Sequence, residues 1–147
     1  MKQRRYLQAN AWQIQNVTSG KVLNQGGSLT NGSPISQWTS VASDNLRFTF
    51  VPASYGYYEI KSVKSSRDVV VAGASTANGA LLVQWSLGSA GNDLWKPVQN
   101  SDGTWSFYNH KSGKVIDNSG GSLVNGTQYD QWTPGTSSNL KFVLIAQ

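Results

Sequence analysis

The sequence predicts an all-β fold built from three equivalent four-stranded repeats, and three observations support this. First, Asn-Gly pairs recur every 47 residues, and a Gln-Trp pair follows each of them at the same distance. Second, short runs alternate apolar and polar residues at period two, as half-buried strands do. Third, Gly, Asn, Ser and Asp interrupt the chain every few residues, and no stretch keeps an apolar 3.6-residue period long enough for a helix.

The repeated positions divide the 147 residues into three units of about 47, at residues 11–56, 57–103 and 104–147. Each unit has an Asn-Gly pair, a Gln-Trp pair and an Asn seven residues after the Trp. These anchors are Asn31-Gly32, Asn78-Gly79 and Asn125-Gly126; Gln37-Trp38, Gln84-Trp85 and Gln131-Trp132; and Asn45, Asn92 and Asn139. Residues 1–10 are expected to be a basic N-terminal tail, or an expression remnant, outside the domain.

Four strands are predicted in each repeat. In the first repeat they lie near Trp12 to Asn16, Lys21 to Asn24, Ile35 to Trp38 and Leu46 to Val51. The Asn-Gly pairs favour positive φ and therefore tight reversals between strands. Three repeats then give about twelve strands.

The number of repeats restricts how these strands can close. A propeller needs roughly four to eight blades, and an open stack of units would leave unpaired sheet edges at both ends. Closure around a pseudo-threefold axis, as a barrel with a cap, removes the edges and buries one shared core. The predicted fold is therefore a β-trefoil.

Composition excludes several classes of function. Of the net charge of +5, three charges come from Lys2, Arg4 and Arg5, and the other basic residues are scattered instead of concentrated as in a nucleic-acid binder. The chain has no cysteine and one histidine, so we expect no thiolate metal site and no cofactor. No apolar run approaches the roughly 18 residues that a membrane span needs, so we expect no membrane insertion.

Several motifs give the chain a family resemblance. Each repeat combines a Gly-Lys-Val-Leu-like strand, an Asn-Gly turn, a Gln-Trp pair and an Asn-x-x-aromatic step. Over about Ala11 to Gln147, this pattern resembles the ricin-B-type β-trefoil lectins, and among them the bacterial family-13-like carbohydrate-binding modules. The Gln-x-Trp signature of that family keeps only its apolar third position here: it reads Leu46-Arg47-Phe48, Asp93-Leu94-Trp95 and Leu140-Lys141-Phe142.

The resemblance implies one sugar site in each repeat. Its parts are an acid after the second strand, an aromatic after the Asn-Gly turn and an Asn before the signature residue. A sugar ring needs an aromatic face for its C–H bonds and a polar acceptor for adjacent hydroxyls. The implied residues are Asp117, Trp132 and Asn139 in repeat 3, with Tyr129, Asp130, Gln131 and Asn118 beside them; Asn24, Trp38 and Asn45 in repeat 1; and Val71, Trp85 and Asn92 in repeat 2.

The three sites differ in their acceptor. Repeat 3 has the full set, whereas Asn24 replaces the carboxylate in repeat 1 and predicts weaker binding. Val71 accepts no hydrogen bond, so the repeat-2 site is expected to be dead or much weakened. Structural roles are the alternative for these residues: the tryptophans would pack under the cap, Asp117 would cap a turn, and the asparagines would brace loops.

We therefore expect a non-catalytic domain that binds glycans with galactose-like or xylose-like residues. It would be an extracellular monomer, either free-standing or an accessory module of a glycoside hydrolase or toxin, although the first residues show no leader pattern. One alternative is a trefoil used for protein contact, such as a protease inhibitor, with the contact in the irregular segment Val63 to Asp68. The other is a glycosidase, which needs two carboxylates roughly 5 to 10 Å apart; Asp117 and Asp130 are the candidate pair.

Overall fold

The computed structural model describes residues 2–147 and contains twelve strands, as the sequence predicts. In chain order they are β1 Trp12–Asn16, β2 Val22–Asn24, β3 Ser36–Trp38, β4 Phe48–Pro52, β5 Tyr58–Ser62, β6 Asp68–Val71, β7 Leu82–Trp85, β8 Trp95–Gln99, β9 Trp105–Asn109, β10 Val115–Asp117, β11 Asp130–Trp132 and β12 Phe142–Ala146. A helix, α1, spans Lys2–Gln8, and one-turn 3₁₀ helices lie at Asp44–Leu46, Ala72–Ala74, Ser119–Gly121 and Ser138–Leu140.

Six of the strands close into a barrel. Strands β1, β4, β5, β8, β9 and β12 pair in that order, all antiparallel, and β12 pairs back onto β1. The remaining strands form three hairpins, β2–β3, β6–β7 and β10–β11, one in each repeat. Because every barrel strand has two partners, the barrel has no open edge. The predicted β-trefoil is confirmed.

Alternate residues of the barrel strands fill its interior. The side chains on the inward face are aromatic or branched, and they are buried in one cluster: Trp12, Ile14, Phe48, Phe50, Tyr58, Ile60, Trp95, Phe107 and Phe142. The ring of Phe107 lies 5.8 Å from both Phe50 and Phe142. The period-two alternation that predicted the strands therefore also selects the core.

The three hairpins meet around the pseudo-threefold axis through a closed ring of backbone hydrogen bonds. The N–H of Ile35 donates to the Leu82 carbonyl at 3.1 Å, Leu82 donates to Tyr129 at 2.9 Å, and Tyr129 donates back to Ile35 at 2.9 Å. All three side chains are buried. Tyr129 was expected to line the repeat-3 pocket, but it is fully buried and its hydroxyl donates to Gln37 Oε1.

The N-terminal segment is part of the domain, which corrects the expectation of a basic tail at residues 1–10; Met1 lies outside the described residues. Helix α1 packs on the end of the barrel opposite the hairpins. Leu7 is fully buried in the core, and its carbonyl accepts a 2.9 Å hydrogen bond from Trp12 Nε1. The Tyr6 ring lies 5.0 Å from Trp12 and stacks at 6.3 Å on Trp105. Among residues 2–147, no helix has the length and apolarity needed to cross a bilayer.

The burial of Leu7 gives a testable prediction. We expect Leu7→Ala to lower the free energy of unfolding by about 2 to 5 kcal/mol, because it removes a buried side chain and leaves a cavity. Leu29, which is 58% exposed, is the matched control, and Leu29→Ala should change stability by no more than about 0.5 kcal/mol. Urea unfolding followed by tryptophan fluorescence measures both. Equal stability of the two variants would mean that α1 is not part of the folded core.

Candidate functional site

The β10–β11 hairpin places three of the predicted residues of repeat 3 on one face. Val115 lies opposite Trp132, and Asp117 lies opposite Asp130. Directly opposed residues and those two apart along a strand share a face, so Asp117, Asp130 and Trp132 project together. The indole is 45% exposed, whereas the two carboxyl groups lie beneath the surface.

The 3₁₀ helix Ser138–Leu140 brings Asn139 to the same place. Asn139 Nδ2 donates to Asp117 Oδ1 at 2.6 Å, and the Asn139 carbonyl accepts from the Asn118 N–H at 3.0 Å. These two bonds fix the amide against the carboxylate. We refer to Asp117, Asp130, Trp132 and Asn139 as the repeat-3 cluster.

The Asp130 carboxyl group is buried directly opposite Asp117. Burial, together with the hydrogen bond and the negative charge of Asp117, raises the pKa of Asp130 to about 8, against a lowering contribution from Ser119. Asp130 therefore holds a proton at pH 7, while Asp117 accepts hydrogen bonds. The cluster offers both an O–H donor and a carboxylate acceptor.

Repeat 1 reproduces this geometry without the charge. Asn45 Nδ2 donates to Asn24 Oδ1 at 2.9 Å, and Asn24 Nδ2 donates to the hydroxyl of the opposing Ser36 at 3.1 Å. Trp38 is also 45% exposed. The structure thus brings the predicted residues of repeat 1 together, but with an amide in place of the acid.

Repeat 2 requires a correction of one residue. The sequence analysis placed the acceptor position at Val71, but β6–β7 pairing sets Val70 opposite Val83, just as Asp117 opposes Asp130. Val71 instead donates its N–H to the Asn92 carbonyl, as Asn118 does to Asn139. The position is still a valine. Asn92 Nδ2, without a side-chain acceptor, donates to the Val71 carbonyl at 2.9 Å.

One hollow on the surface lies in repeat 2. It has a volume of about 510 Å³, and its lining includes Val70, Val83, Trp85 and Asn92. These four positions correspond by strand register to Asp117, Asp130, Trp132 and Asn139. The equivalent side chains of a repeat can therefore share one hollow.

Gln131 does not line a pocket, and the prediction that it contacts sugar is wrong. It is fully buried, and its Nε2 donates to the Ser75 and Ala77 carbonyls of repeat 2, each at 3.0 Å. Its Oε1 accepts from Ser112 Oγ at 2.7 Å. Every polar atom of the amide is thus occupied in holding a loop of the neighbouring repeat.

Each indole of the Gln-Trp pairs serves as packing at one edge and stays open on its face. Trp85 Cζ3 lies beside Gly32 of repeat 1, where a Cβ would come within 3.5 Å of it. Gly32 has a φ of +91°, which a side chain would strain. Trp38 and Trp132 stand in the same way beside Gly126 and Gly79. Both interpretations of these tryptophans, as packing residues and as exposed faces, therefore hold in part.

Two further expectations are corrected. Asn118 is fully buried and donates to Asn16 Oδ1 and the Ser122 carbonyl, so it is structural. The segment Val63 to Asp68 is not an irregular loop. It forms a turn in which the Ser66 N–H donates to the Ser62 carbonyl at 2.9 Å. The same turn occurs in the other repeats, where the Gly20 N–H donates to the Asn16 carbonyl and the Gly113 N–H donates to the Asn109 carbonyl.

A family model agrees with this architecture. The model for ricin-type β-trefoil lectin domain-like proteins matches residues 3–85 and, in a second overlapping alignment, residues 44–132. The chain belongs to this family. The matched residues include the hairpins of all three repeats, and the prediction of a ricin-B-type lectin domain is confirmed.

Solved structures show the same fold. The designed threefold-symmetric protein ThreeFoil matches with a TM-score of 0.91 and 26% identity, over 93% of this chain and 99% of that one. The exo-β-1,3-galactanase 1,3Gal43A from Clostridium thermocellum matches with a TM-score of 0.90 and 30% identity, over 94% of this chain but only 30% of the enzyme. A ricin B-like lectin from Macrolepiota procera, solved in complex with lactose, matches with a TM-score of 0.80 and 18% identity, over 93% and 95%. No curated protein matches the chain.

These comparisons set the functional class of this lectin domain. Family membership supports carbohydrate binding, and the family is typically non-catalytic. At 18% identity, the lactose-bound lectin shows the fold alone. The galactanase is three times longer than the matched part, so its activity is a property of that whole enzyme.

The raised pKa of Asp130 predicts how stability depends on pH. An unfolded Asp titrates near about 3.9, and folded Asp130 titrates at about 8. The folded state therefore binds the extra proton between about pH 4 and 8, and stability should fall as pH rises through this range, by at most about 1.4 kcal/mol per pH unit for one proton. Asp130→Asn should flatten the curve.

The measurement is urea unfolding of the wild type and Asp130→Asn at several pH values. Asp68, whose pKa burial raises to about 7, titrates in both proteins, so the difference between the two curves isolates Asp130. Parallel curves would mean that Asp130 does not take up a proton on folding.

Proposed function

We propose that this lectin domain is non-catalytic and binds galactose-type or xylose-type glycans at the repeat-3 cluster. The observation that carries the proposal is the 2.6 Å hydrogen bond from Asn139 to Asp117 beneath the half-exposed indole of Trp132. The lactose bound to the fungal neighbour and the galactanase that contains a 30% identical domain support the galactose-type choice.

The chemistry of the cluster suits two adjacent hydroxyls. One sugar hydroxyl would donate to the Asp117 carboxylate, in a charge-assisted hydrogen bond. A second would accept from the Asn139 amide or from the proton held by Asp130. The C–H face of the ring would then rest on the indole of Trp132, which supplies the apolar part of the contact.

Repeat 1 would act as a second, weaker site. It has the same amide-to-acceptor bond, but Asn24 is neutral, so its hydrogen bonds to hydroxyls lack the assistance of a charge. Shallow single sites bind weakly because they bury little ligand, and two sites on one domain gain avidity on a polysaccharide. This arrangement suits an extracellular monomer that acts on polymeric glycans.

The first test is a titration of Asp117→Ala with galactose, lactose and xylo-oligosaccharides. We expect at least a tenfold loss of affinity at the repeat-3 cluster, because the charged acceptor is removed. Asp102→Ala is the matched control, since Asp102 is an exposed acid in the same repeat that pairs with Lys141 at 3.0 Å; its binding should equal that of the wild type. Unchanged binding in Asp117→Ala would remove the repeat-3 cluster from the proposal.

The proposal also predicts that the domain does not hydrolyse glycosides. Asp117 and Asp130 are directly opposed across the β10–β11 hairpin, where side chains lie close together, whereas a glycosidase separates its carboxyl groups by roughly 5 to 10 Å around the bond that it cleaves. Incubation of the purified chain with galactan and xylan should release no reducing sugar above the level seen with Asp117→Ala. Release that is lost in that variant would assign a glycosidase activity.

A further inference from the structure

We propose that the hollow of repeat 2 binds a single aryl ring, carried on a more polar molecule, and no longer binds a sugar. We call it the repeat-2 hollow, defined by Val70, Val83, Trp85, Ala72 and Asn92. Its volume of about 510 Å³ falls in the range of small-molecule sites. The site lies on its own hairpin, so this inference stands apart from the function proposed for repeat 3.

The floor of the repeat-2 hollow is apolar where the other repeats are polar. Val70 and Val83 face each other across β6–β7, at the positions of Asp117 and Asp130. Ala72, Ala74 and Ala90 add methyl groups around them. The opposed positions that are polar in repeats 1 and 3 are thus both apolar in repeat 2, where they line this hollow.

Two of the polar atoms near this floor are engaged with the protein. Asn92 Nδ2 donates to the Val71 carbonyl, and Asp93 Oδ2 accepts the Gly88 N–H at 2.7 Å. Asp93 is buried, at a position where the other repeats have leucine. A sugar hydroxyl placed against Val70 or Val83 would be buried without a partner, which is unfavourable.

An aryl ring fits the surfaces that are left. Trp85 is 48% exposed and lines the hollow, so an offset-stacked or edge-to-face ring would gain contact with its indole. Glycines 32, 73 and 88 line the rim and add no side chains that would block a flat group. Ser86 and Ser89 also line the hollow and would keep the polar carrier hydrated.

The test uses methyl 4-hydroxybenzoate as the aryl probe and methyl cyclohexanecarboxylate as a non-aromatic probe of similar size. Titrations are followed by the indole N–H signals in ¹H–¹⁵N spectra. We expect the aryl probe to shift the Trp85 signal, with at least fivefold weaker binding in Trp85→Ala. Trp132→Ala is the matched control, because Trp132 has the same exposure and the same glycine contact in repeat 3; it should leave the affinity unchanged.

A second variant tests the floor. Val70→Asp puts the acid of repeat 3 into repeat 2, and it should weaken the aryl probe at least fivefold. Because Val70 is buried, Trp85→Ala provides the decisive result if Val70→Asp does not fold.

The inference is overturned if the cyclohexane ester binds as tightly as the aryl ester, if Trp132→Ala weakens the aryl probe as much as Trp85→Ala does, or if galactose shifts the Trp85 signal. If Asp117→Ala loses sugar binding but keeps aryl binding, both proposals are supported. If only the sugar fails to bind the wild type, the function proposed for repeat 3 fails. If only the aryl ester fails to bind, the inference about the repeat-2 hollow fails.

Discussion

The structure depends on one buried side chain that is used three times: the glutamine of each Gln-Trp pair. Gln37, Gln84 and Gln131 are fully buried, and each donates its two amide hydrogens to two carbonyls in the loop of another repeat. A buried amide without partners would be costly, so each glutamine requires the neighbouring repeat to be folded. Together with the backbone ring around the axis, these bonds make the three repeats one cooperative unit. No repeat can satisfy its own polar groups alone.

This glutamine also explains why the tryptophan beside it is exposed. Adjacent residues of a strand point to opposite faces, so a glutamine directed inward leaves the indole directed outward. The indole edge then rests on the Asn-Gly turn of the same neighbouring loop that the glutamine holds. Structural contacts therefore fix the position of the exposed indole face, while the residues beside it differ between the repeats. The opposed positions are Asn24 and Ser36, Val70 and Val83, and Asp117 and Asp130 in the three repeats.

Much of the fold and part of the candidate site could be predicted from the sequence. The repeat spacing and the period-two alternation predicted the strands and the trefoil, and the resemblance to ricin-B-type lectins implied the grouping of Asp117 with Asn139. The role of Gln131 was predictable too, from strand alternation next to an outward Trp. Helix α1 was missed because it is seven residues long and buries Leu7, so it leaves no periodic pattern. Val71 was predicted in place of Val70 because repeat 1 has one residue fewer than the other repeats between β2 and the Asn-Gly turn. Adding the 47-residue period to Asn24 therefore gives a position one residue too far along the chain.

The buried acids at two sites differ in whether a cation lies beside them. Asp68 is buried on β6, but Lys61 Nζ lies 3.1 Å from its Oδ1 and 3.0 Å from Glu59, so a cation offsets the desolvation of the acids. Among the described residues, no salt bridge involves Asp117 or Asp130, whereas buried carboxylate oxygens without a hydrogen-bond partner occur at both sites, on Asp130 and on Asp68. A carboxyl pair with no cation lowers the stability of the fold. The valine pair of repeat 2 shows that the scaffold tolerates an apolar replacement at these positions, so the fold itself does not require the acids. The glycan proposed for the repeat-3 cluster would supply hydroxyl groups that form hydrogen bonds with these buried acids.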